Sequence, residues 1–535
     1  MIEPMTPATA TDAKPSSFDS TRETIESIAV AFMLAFMFKT FLAEMFVIPT
    51  GSMAPTLQGR HYDLVCPECG EEYRCGFLEQ SSVQKVPVCP NCRYALQLDP
   101  NNKNEQVFMG DRITVNKFLY DFDAPQRWDV IVFKYPEDAK TNYIKRLIGL
   151  PGEKLRIYKG DIYTAKLDGA TVVGPDTIAR KPNHQKLQAM LQLVYDTDHT
   201  HEGFLARGWP SRWADWSTEP TANGWAMSAD GKTFKLPESA TATTLRYRHF
   251  VPAQSDWKTY KDSDQPLKTP NPQLIKDDYA YNVSGPDTLT GMNWVGDLAL
   301  RCDVKTTSAA GTLTFDLIKG GVRFLAEIDL SAGVARLKIP TVPNYAPPEA
   351  KVAWNASETH TILFANVDDQ LTLLIDDKPV FYPAVTGYAH LNNDVESGTV
   401  APIPGDTNPT DYSPIGVTVQ GVAAEVTHLK VLRDVFYIAR DEFHSALDQF
   451  EIPLLDEQND DKDQFFMLGD NSPSSSDGRH WMKQKFVERR LLIGKAAFIY
   501  WPHSWPTEWG VSFKKFGVDF DIPFIPNFKR MRLIR

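Results

Sequence analysis

Cysteine is scarce in this chain, positive charge is outnumbered, and apolar runs long enough to matter to a bilayer are missing everywhere but one place. Each shortage excludes something. Six cysteines in 535 residues are too few for a general disulfide framework, and four of them cluster as two C-x-x-C turns, at Cys66, Cys69, Cys89 and Cys92, which points to a metal site. Lys and Arg number 56 against 68 Asp and Glu, and the formal charge of −12 argues against nucleic acid and against a polybasic membrane patch. Core material is not lacking. Hydrophobic residues make up 42% of the chain and aromatics 11%, ample for packed cores, and the length suggests about three domains.

Residues 1–23 are rich in Thr, Ser, Ala and Pro without apolar periodicity and read as a disordered tail. The one long run, IESIAVAFMLAFMFKTFLAEMFVI, follows over residues 25–48; it is about long enough to cross a bilayer, although Glu26, Lys39 and Glu44 interrupt it. We take residues 24–48 as a transmembrane helix. A buried core helix is the plain alternative, and a cleaved signal peptide is disfavoured because no small-residue cleavage site follows. With only Lys14 and Arg22 in the tail, charge does not set the orientation.

Two C-x-x-C turns, CPEC from Cys66 and CPNC to Cys92, have the spacing of a zinc ribbon. Cys66, Cys69, Cys89 and Cys92 are read as ligands of one structural zinc within residues 65–92, with Cys75 and Cys302 as non-ligands. The alternative is a pair of disulfides in an oxidising compartment, but a bridge inside one C-x-x-C closes a very small loop and constrains little.

Beyond residue 108 the pattern turns to β. WDVIVFKYP and NYIKRLIGL are apolar, β-branched runs on either side of a turn-like EDAKT and read as paired strands; KLRIYKGDIYTAKL continues as a hairpin. Residues 166–275 hold one helix-like segment, Asn183 to Asp196, then Trp209, Trp213, Trp216 and Trp225. Tryptophans at such density either stack on sugars or fill a small core, and the core reading is adopted. Residues 276–440 show short alternating runs at regular spacing, with Asp368, Asp369, Asp376 and Asp377 as hairpin-turn residues. The pattern is that of a β-sandwich and resembles laminin-G or concanavalin-like jelly rolls. Residues 506–535 read as a C-terminal tail with a solvated end.

The chemistry gathers at two stretches. FVIPTGSMAPTL (Phe46 to Leu57) sets Ser52 between Gly51 and Met53 just past the apolar run, and YIKRLIGLPGE (Tyr143 to Glu153) sets Lys145 inside an apolar strand with Arg146 directed to the opposite face. A serine beside a membrane and a lysine in an apolar setting are the parts of a Ser/Lys protease. PTGSMAPTL, GDRITVNKF, YIKRLIGLPGE, FFMLGDNSPSSSDGRHW and IGKAAFIYWP stand in the order they have in bacterial type I signal peptidases, which the chain resembles over about a third of its length. The resemblance implies a β-rich catalytic core from residues 49–64, 93–165 and 441–505, on the outer side of the inner membrane behind a single span. It implies signal-peptide-bearing preproteins as substrates, membrane lipid and export machinery as partners, and no metal or organic cofactor in the reaction.

By the same resemblance Ser52 is the nucleophile and Lys145 the base, which must be held neutral by burial. The backbone N–H of Ser52 and the hydroxyl of Thr50 are oxyanion donors. Ser475 orients the lysine, and Asp477 and Arg479 hold that loop with Asp470 nearby. The motif departs at Ser472 to Ser475, where a charged pair is usual. His480, the one histidine in these motifs, takes an aromatic position and is read as packing. An extended peptide would pair with strand edges at Phe46, Ile48 and Pro49 on one side and Asn142, Tyr143 and Ile144 on the other, its small residues entering shallow apolar pockets as in an Ala-x-Ala preference.

The fold class expected is mainly β: an N-terminal transmembrane helix, a catalytic core, an inserted zinc ribbon and an inserted jelly-roll-like sandwich. A second reading makes the sandwich a glycan- or protein-binding unit on a relic protease. Ser52, Lys145, Ser475 and Asp477 standing together argue against it. A third, self-cleavage as in repressors of the DNA-damage response, is opposed by the membrane run and the lack of a DNA-binding region.

Overall fold

The computed structural model describes residues 17–37, 43–77, 86–216, 224–282, 285, 291–342, 345–391, 400–405, 409–439, 449–457, 460–503, 511–515, 518–522 and 527–535. The architecture is mainly β, in several antiparallel sheets. A helix α1 (Ser17–Met37) is followed by strands β1 (Ala43–Val47), β2 (His61–Val65), β3 (Glu72–Gly76), β4 (Arg112–Asn116), β5 (Val130–Tyr135), β6 (Asp138–Gly149), β7 (Glu153–Tyr158) and β8 (Asp161–Asp168).

The expected membrane span is divided. Helix α1 begins at Ser17, inside the expected tail, while residues 43–47 pair with β4 in the register Phe46 to Ile113. Exposure alternates along this strand, Glu44 and Phe46 half-buried and Met45 and Val47 exposed, as the two-residue period of a strand requires. Residues 38–42 lie outside the described residues. Among the described residues no helix is long and apolar enough to cross a membrane. Residues 21–33 of α1 are all exposed, Phe32 and Met33 at 63% and 65%.

The sheet that carries the chemistry runs β1, β4, Leu492–Trp501, β5, β6, Gln464–Leu468, Val487–Glu488. The expected pairing of WDVIVF with NYIKRL is present as β5 and β6, Ile131 opposite Lys145. The second hairpin, β7 and β8, turns at Lys159 and Gly160 and packs with Phe450–Leu454 in its own sheet. The C-terminus is not a solvated end. Arg532–Leu533 pairs with Leu492–Trp501, Ile534 is buried, and Arg530 is buried against Asp111 at 2.6 Å.

A larger body is made of two sheets of eight and seven strands that face one another across one core. Strands from the tryptophan-rich stretch enter both sheets: Thr243–Tyr247 pairs with Ile415–Gln420, and Gln192–Asp196 pairs with Ala424–Arg433. The boundary drawn at residue 275 therefore does not separate two packing units. The helix expected over Asn183 to Asp196 stops at Met190, because Gln192, Leu193, Tyr195 and Asp196 find a strand partner, with a bulge at Val194. Trp213 and Trp225 lie in the sandwich core as expected, while Trp209 packs against the cysteine hairpin. Asp368, Asp369, Asp376 and Asp377 all take positive φ, between 51° and 59°, in pairs at two-residue hairpin turns.

Candidate active site

Ser52 sits in a single 3₁₀ turn, Gly51–Met53, entered from an extended Thr50 and closed by Ala54 N–H donating to the Gly51 carbonyl at 3.0 Å. Met53 and Leu57 anchor this turn in the apolar cluster with Ile48, Ile113 and Val115, so the serine is held from below by packing. Lys145 projects from β6 on the face opposite Arg146, and its Nζ lies 2.8 Å from Ser52 Oγ and 3.1 Å from the Ile144 carbonyl. Lys145 is 3% exposed and Ser52 8%.

The sequence calls for a lysine away from carboxylates, yet two are near. Burial lowers the Lys145 ammonium pKa; Asp477 and Asp470 pull it up and Arg479 pushes it down, and the outcome is a fall to about 8. Burial prevails because each carboxylate is already matched by an arginine. Asp470 takes both Nε and Nη2 of Arg146 at 2.6 Å. Asp477 takes Nε and Nη2 of Arg479 at 2.8 and 2.7 Å; burial alone would raise its pKa, but Arg479 and the Gly469 N–H hold it below the usual carboxylate range.

These charges are delivered by one loop. Pairing between Gln464–Leu468 and β6 ends at Leu468 opposite Arg146, and Gly469 then passes between Ser52 and Ser475. A Cβ on Gly469 would stand 2.2 Å from Ser475 Oγ and 2.4 Å from the Ser52 carbonyl, so only glycine fits this crossing. Ser475 is buried, and among the described residues its Oγ has no hydrogen-bond partner in ordinary bonding geometry, Lys145 included. Ser472, where the motif departs, accepts from the Ile438 N–H and from Arg479 Nη1, both at 2.9 Å. Thr50 is exposed at the mouth of the turn.

The residues expected to receive an extended peptide have open edges. Strand β1 ends its sheet, and β6 meets Gln464–Leu468 only over Arg146 to Gly149, leaving Asn142 to Ile144 paired on one side alone among the described residues. Phe46 and Ile144 pack on the same apolar cluster as Ile48 and Met53.

Three residues that the motif reading assigned no role brace the serine turn. Asn471 donates from its backbone N–H to the Ser52 carbonyl at 3.1 Å and from Nδ2 to the Gly51 carbonyl at 3.0 Å. Asn282 exchanges two amide hydrogen bonds with Asn471, at 2.6 and 2.7 Å. Tyr281 packs against Gly51, so close that a Cβ there would meet its ring at 2.3 Å. Asn471 belongs to the GDN signal and was within reach of it. Asn282 and Tyr281, from a different part of the chain, carry no signal.

The four expected cysteines converge: Cys66 Sγ is 3.5 Å from Cys92 Sγ and Cys69 Sγ is 3.6 Å from Cys89 Sγ, all four within 4.8 Å of one another. A tetrahedron with Zn–S bonds of about 2.3 Å has edges of about 3.8 Å, so the four sulfurs fit such an ion. Both knuckles close alike, with Gly70 and Arg93 at positive φ donating to the Cys66 and Cys89 carbonyls. Cys75 and Cys302 stand outside the cluster.

The family model described as "Signal peptidase, peptidase S26" matches residues 95–203 and 400–501. The chain is similar to signal peptidase I proteins. It is 29% identical over 160 residues to signal peptidase I of Pseudomonas fluorescens, covering 29% of this chain and 42% of that protein. It is 31% identical over 134 residues to signal peptidase I of Buchnera aphidicola subsp. Acyrthosiphon pisum, covering 25% of this chain and 31% of that protein. The matches thus span less than half the length of these relatives. The family model takes in Lys145 and the loop from Gly469 to Arg479; Ser52 precedes it. Among solved structures, a carbohydrate binding module, CBM66 from Bacillus subtilis, aligns with 41% of this chain and 95% of its own at 11% identity and a TM-score of 0.22, too low to carry an argument.

Proposed function

We propose that this protein is a signal peptidase, a serine endopeptidase that removes signal peptides from exported preproteins. The observation that carries the reading is the Ser52–Lys145 contact at 2.8 Å, made by a buried lysine whose pKa is lowered to about 8. Near that pH a large fraction of Lys145 is neutral, and its lone pair can take the Ser52 Oγ proton as Oγ attacks the scissile carbonyl. The resulting ammonium returns that proton to the leaving amine. The acyl-enzyme is then hydrolysed by a water that gives a proton to the same Nζ; as the acyl–Oγ bond breaks, that proton passes from Nζ to the departing Ser52 Oγ, restoring the free hydroxyl and the neutral amine. The Ser52 N–H and the Thr50 hydroxyl receive the oxyanion. Ser475 and the Asp477–Arg479 pair keep the lysine's side of the site in register. No metal or organic cofactor enters these steps.

The preprotein strand would add to the open edges at Phe46 to Pro49 and Asn142 to Ile144, its small side chains resting on the cluster of Phe46, Ile48 and Ile144. The exposed apolar surface of α1 supports contact with membrane lipid, with the rest of the chain on the extracytoplasmic side. Cys66, Cys69, Cys89 and Cys92 would hold one structural zinc, in a segment that follows directly on the serine box, where lipid or export machinery would be within reach. The two-sheet body is read as a jelly-roll-like insertion. Incubating the purified protein with a preprotein and sequencing the new N-terminus tests the function. One cut after a small-x-small sequence is expected, and an intact preprotein under conditions where the protein is folded would sink the reading.

A further inference from the structure

The Gly51 carbonyl and the Ser52 N–H belong to the same peptide unit. That unit is planar and trans, so its C=O and N–H point in opposite directions, and whatever fixes one fixes the other. The Gly51 oxygen accepts from Ala54 N–H within the turn and from Asn471 Nδ2, each at 3.0 Å. The next carbonyl, that of Ser52, accepts from the Asn471 backbone N–H. Asn471 therefore grips two consecutive peptide units of the serine turn.

An Asn side chain does this only if its amide faces the right way. Rotated by half a turn, Asn471 would present its oxygen to the Gly51 oxygen, and the contact would become repulsive. The Gly51 carbonyl selects the orientation, and Asn282 braces the amide in it. Asn282 donates from Nδ2 to Asn471 Oδ1 at 2.6 Å and accepts from Asn471 Nδ2 on its own Oδ1 at 2.7 Å, so Asn471 is held at both ends. Asn471 is 1% exposed, which leaves it no water to choose from. The neighbour of Asn282, Tyr281, is 4% exposed and lies against Gly51 and also against Gly76 of β3, where a Cβ would meet its ring at 2.3 and 2.4 Å. These two residues come from the segment between the sandwich strands Thr243–Tyr247 and Leu298–Thr306, far from every motif of the catalytic core.

We infer that Asn282 is a positioning residue for the oxyanion site: through Asn471 and the Gly51 carbonyl it sets the direction of the Ser52 N–H, so that the sandwich body completes the hydrolytic centre. The inference rests on the peptidase reading of Ser52, and its test separates the two. In Asn282→Ala both amide bonds are lost; in Asn282→Asp the acceptor for Asn471 Nδ2 remains and the donor goes. Hydrogen–deuterium exchange of residues 50–57 should rise several-fold in Asn282→Ala and by an intermediate amount in Asn282→Asp, with exchange across the sandwich core unchanged. On a preprotein substrate, kcat should fall about ten- to a hundredfold in Asn282→Ala, part of what losing an oxyanion donor costs, with KM little altered and partial recovery in Asn282→Asp. Unchanged exchange at residues 50–57 overturns the inference, as does raised exchange with an unchanged kcat, or a rise across the whole sandwich. A wild-type protein that cleaves nothing would remove the peptidase reading, while the exchange measurement still decides whether Asn282 holds the serine turn.

Discussion

At Lys145 the decisive contest is between burial, which favours the neutral amine, and two carboxylates, which favour the ammonium. The arginines beside Asp470 and Asp477 tip it toward neutrality, leaving a pKa of about 8. The sign for activity follows. Below that pH the base is protonated and cannot accept from Ser52, so kcat/KM should rise about tenfold per pH unit on the acid side and level off above it. A profile flat from about pH 6 to about pH 10 would remove Lys145 as the base. Ser52→Ala and Lys145→Ala should each abolish preprotein cleavage, and the double variant should be no worse than either, because nucleophile and base act as one unit. Substantial turnover in either single variant contradicts the assignment.

At the level of elements, the loop after Gln464–Leu468 does the positioning, and it has two weak points. Gly469 has no room for a methyl group: the atom would fall against Ser475 Oγ and the Ser52 carbonyl. Gly469→Ala should therefore shift the loop and lower kcat by at least about a hundredfold, the scale of a lost catalytic contact; near-normal turnover would show that the loop yields freely. The Arg146–Asp470 pair is fully buried, with Arg146 also donating to the Trp128 carbonyl at 2.7 Å. Removing one partner strands a charge, so Asp470→Asn should destabilise the fold by about 3–5 kcal/mol in denaturant titration. A loss under about 1 kcal/mol would mean that solvent reaches Arg146. The strands on which these residues ride were legible, because WDVIVF and NYIKRL are apolar, β-branched runs with a short turn between them. The helix ends were not. Ala43–Val47 and Gln192–Asp196 sit in sequences that tolerate helix, and became strands because an edge was waiting for each.

For the molecule as a whole, the cysteine hairpin joins the parts. Its core includes Phe204, Trp209, Phe250 and Trp257, and the Trp257 indole N–H donates to the Cys92 carbonyl at 3.0 Å. Metal analysis should give about one zinc per chain, and Cys66→Ser with Cys89→Ser should remove it. Four thiolates leave no position for a reacting water, so chelation should lower thermal stability while cleavage persists in whatever stays folded. Loss of cleavage with the fold intact would tie the metal to the chemistry. Cysteines that resist alkylation until reduced would instead establish disulfides.

What the sequence determined by itself is local. The serine turn, the lysine strand, the aspartate–arginine loop and the paired C-x-x-C knuckles each depend on residues within a few positions of one another, where spacing and side-chain chemistry are nearly the whole of the physics. Only the tertiary structure decided what joins distant segments. Asn282 reaches Asn471 across 189 positions, tryptophan-rich strands enter a sandwich that periodicity had started at residue 276, and the C-terminal arginine and isoleucine fold back onto the core. Such contacts are chosen by which surfaces meet once the sheets have formed, and neither an asparagine nor a tryptophan carries in its neighbours the identity of a partner that far away.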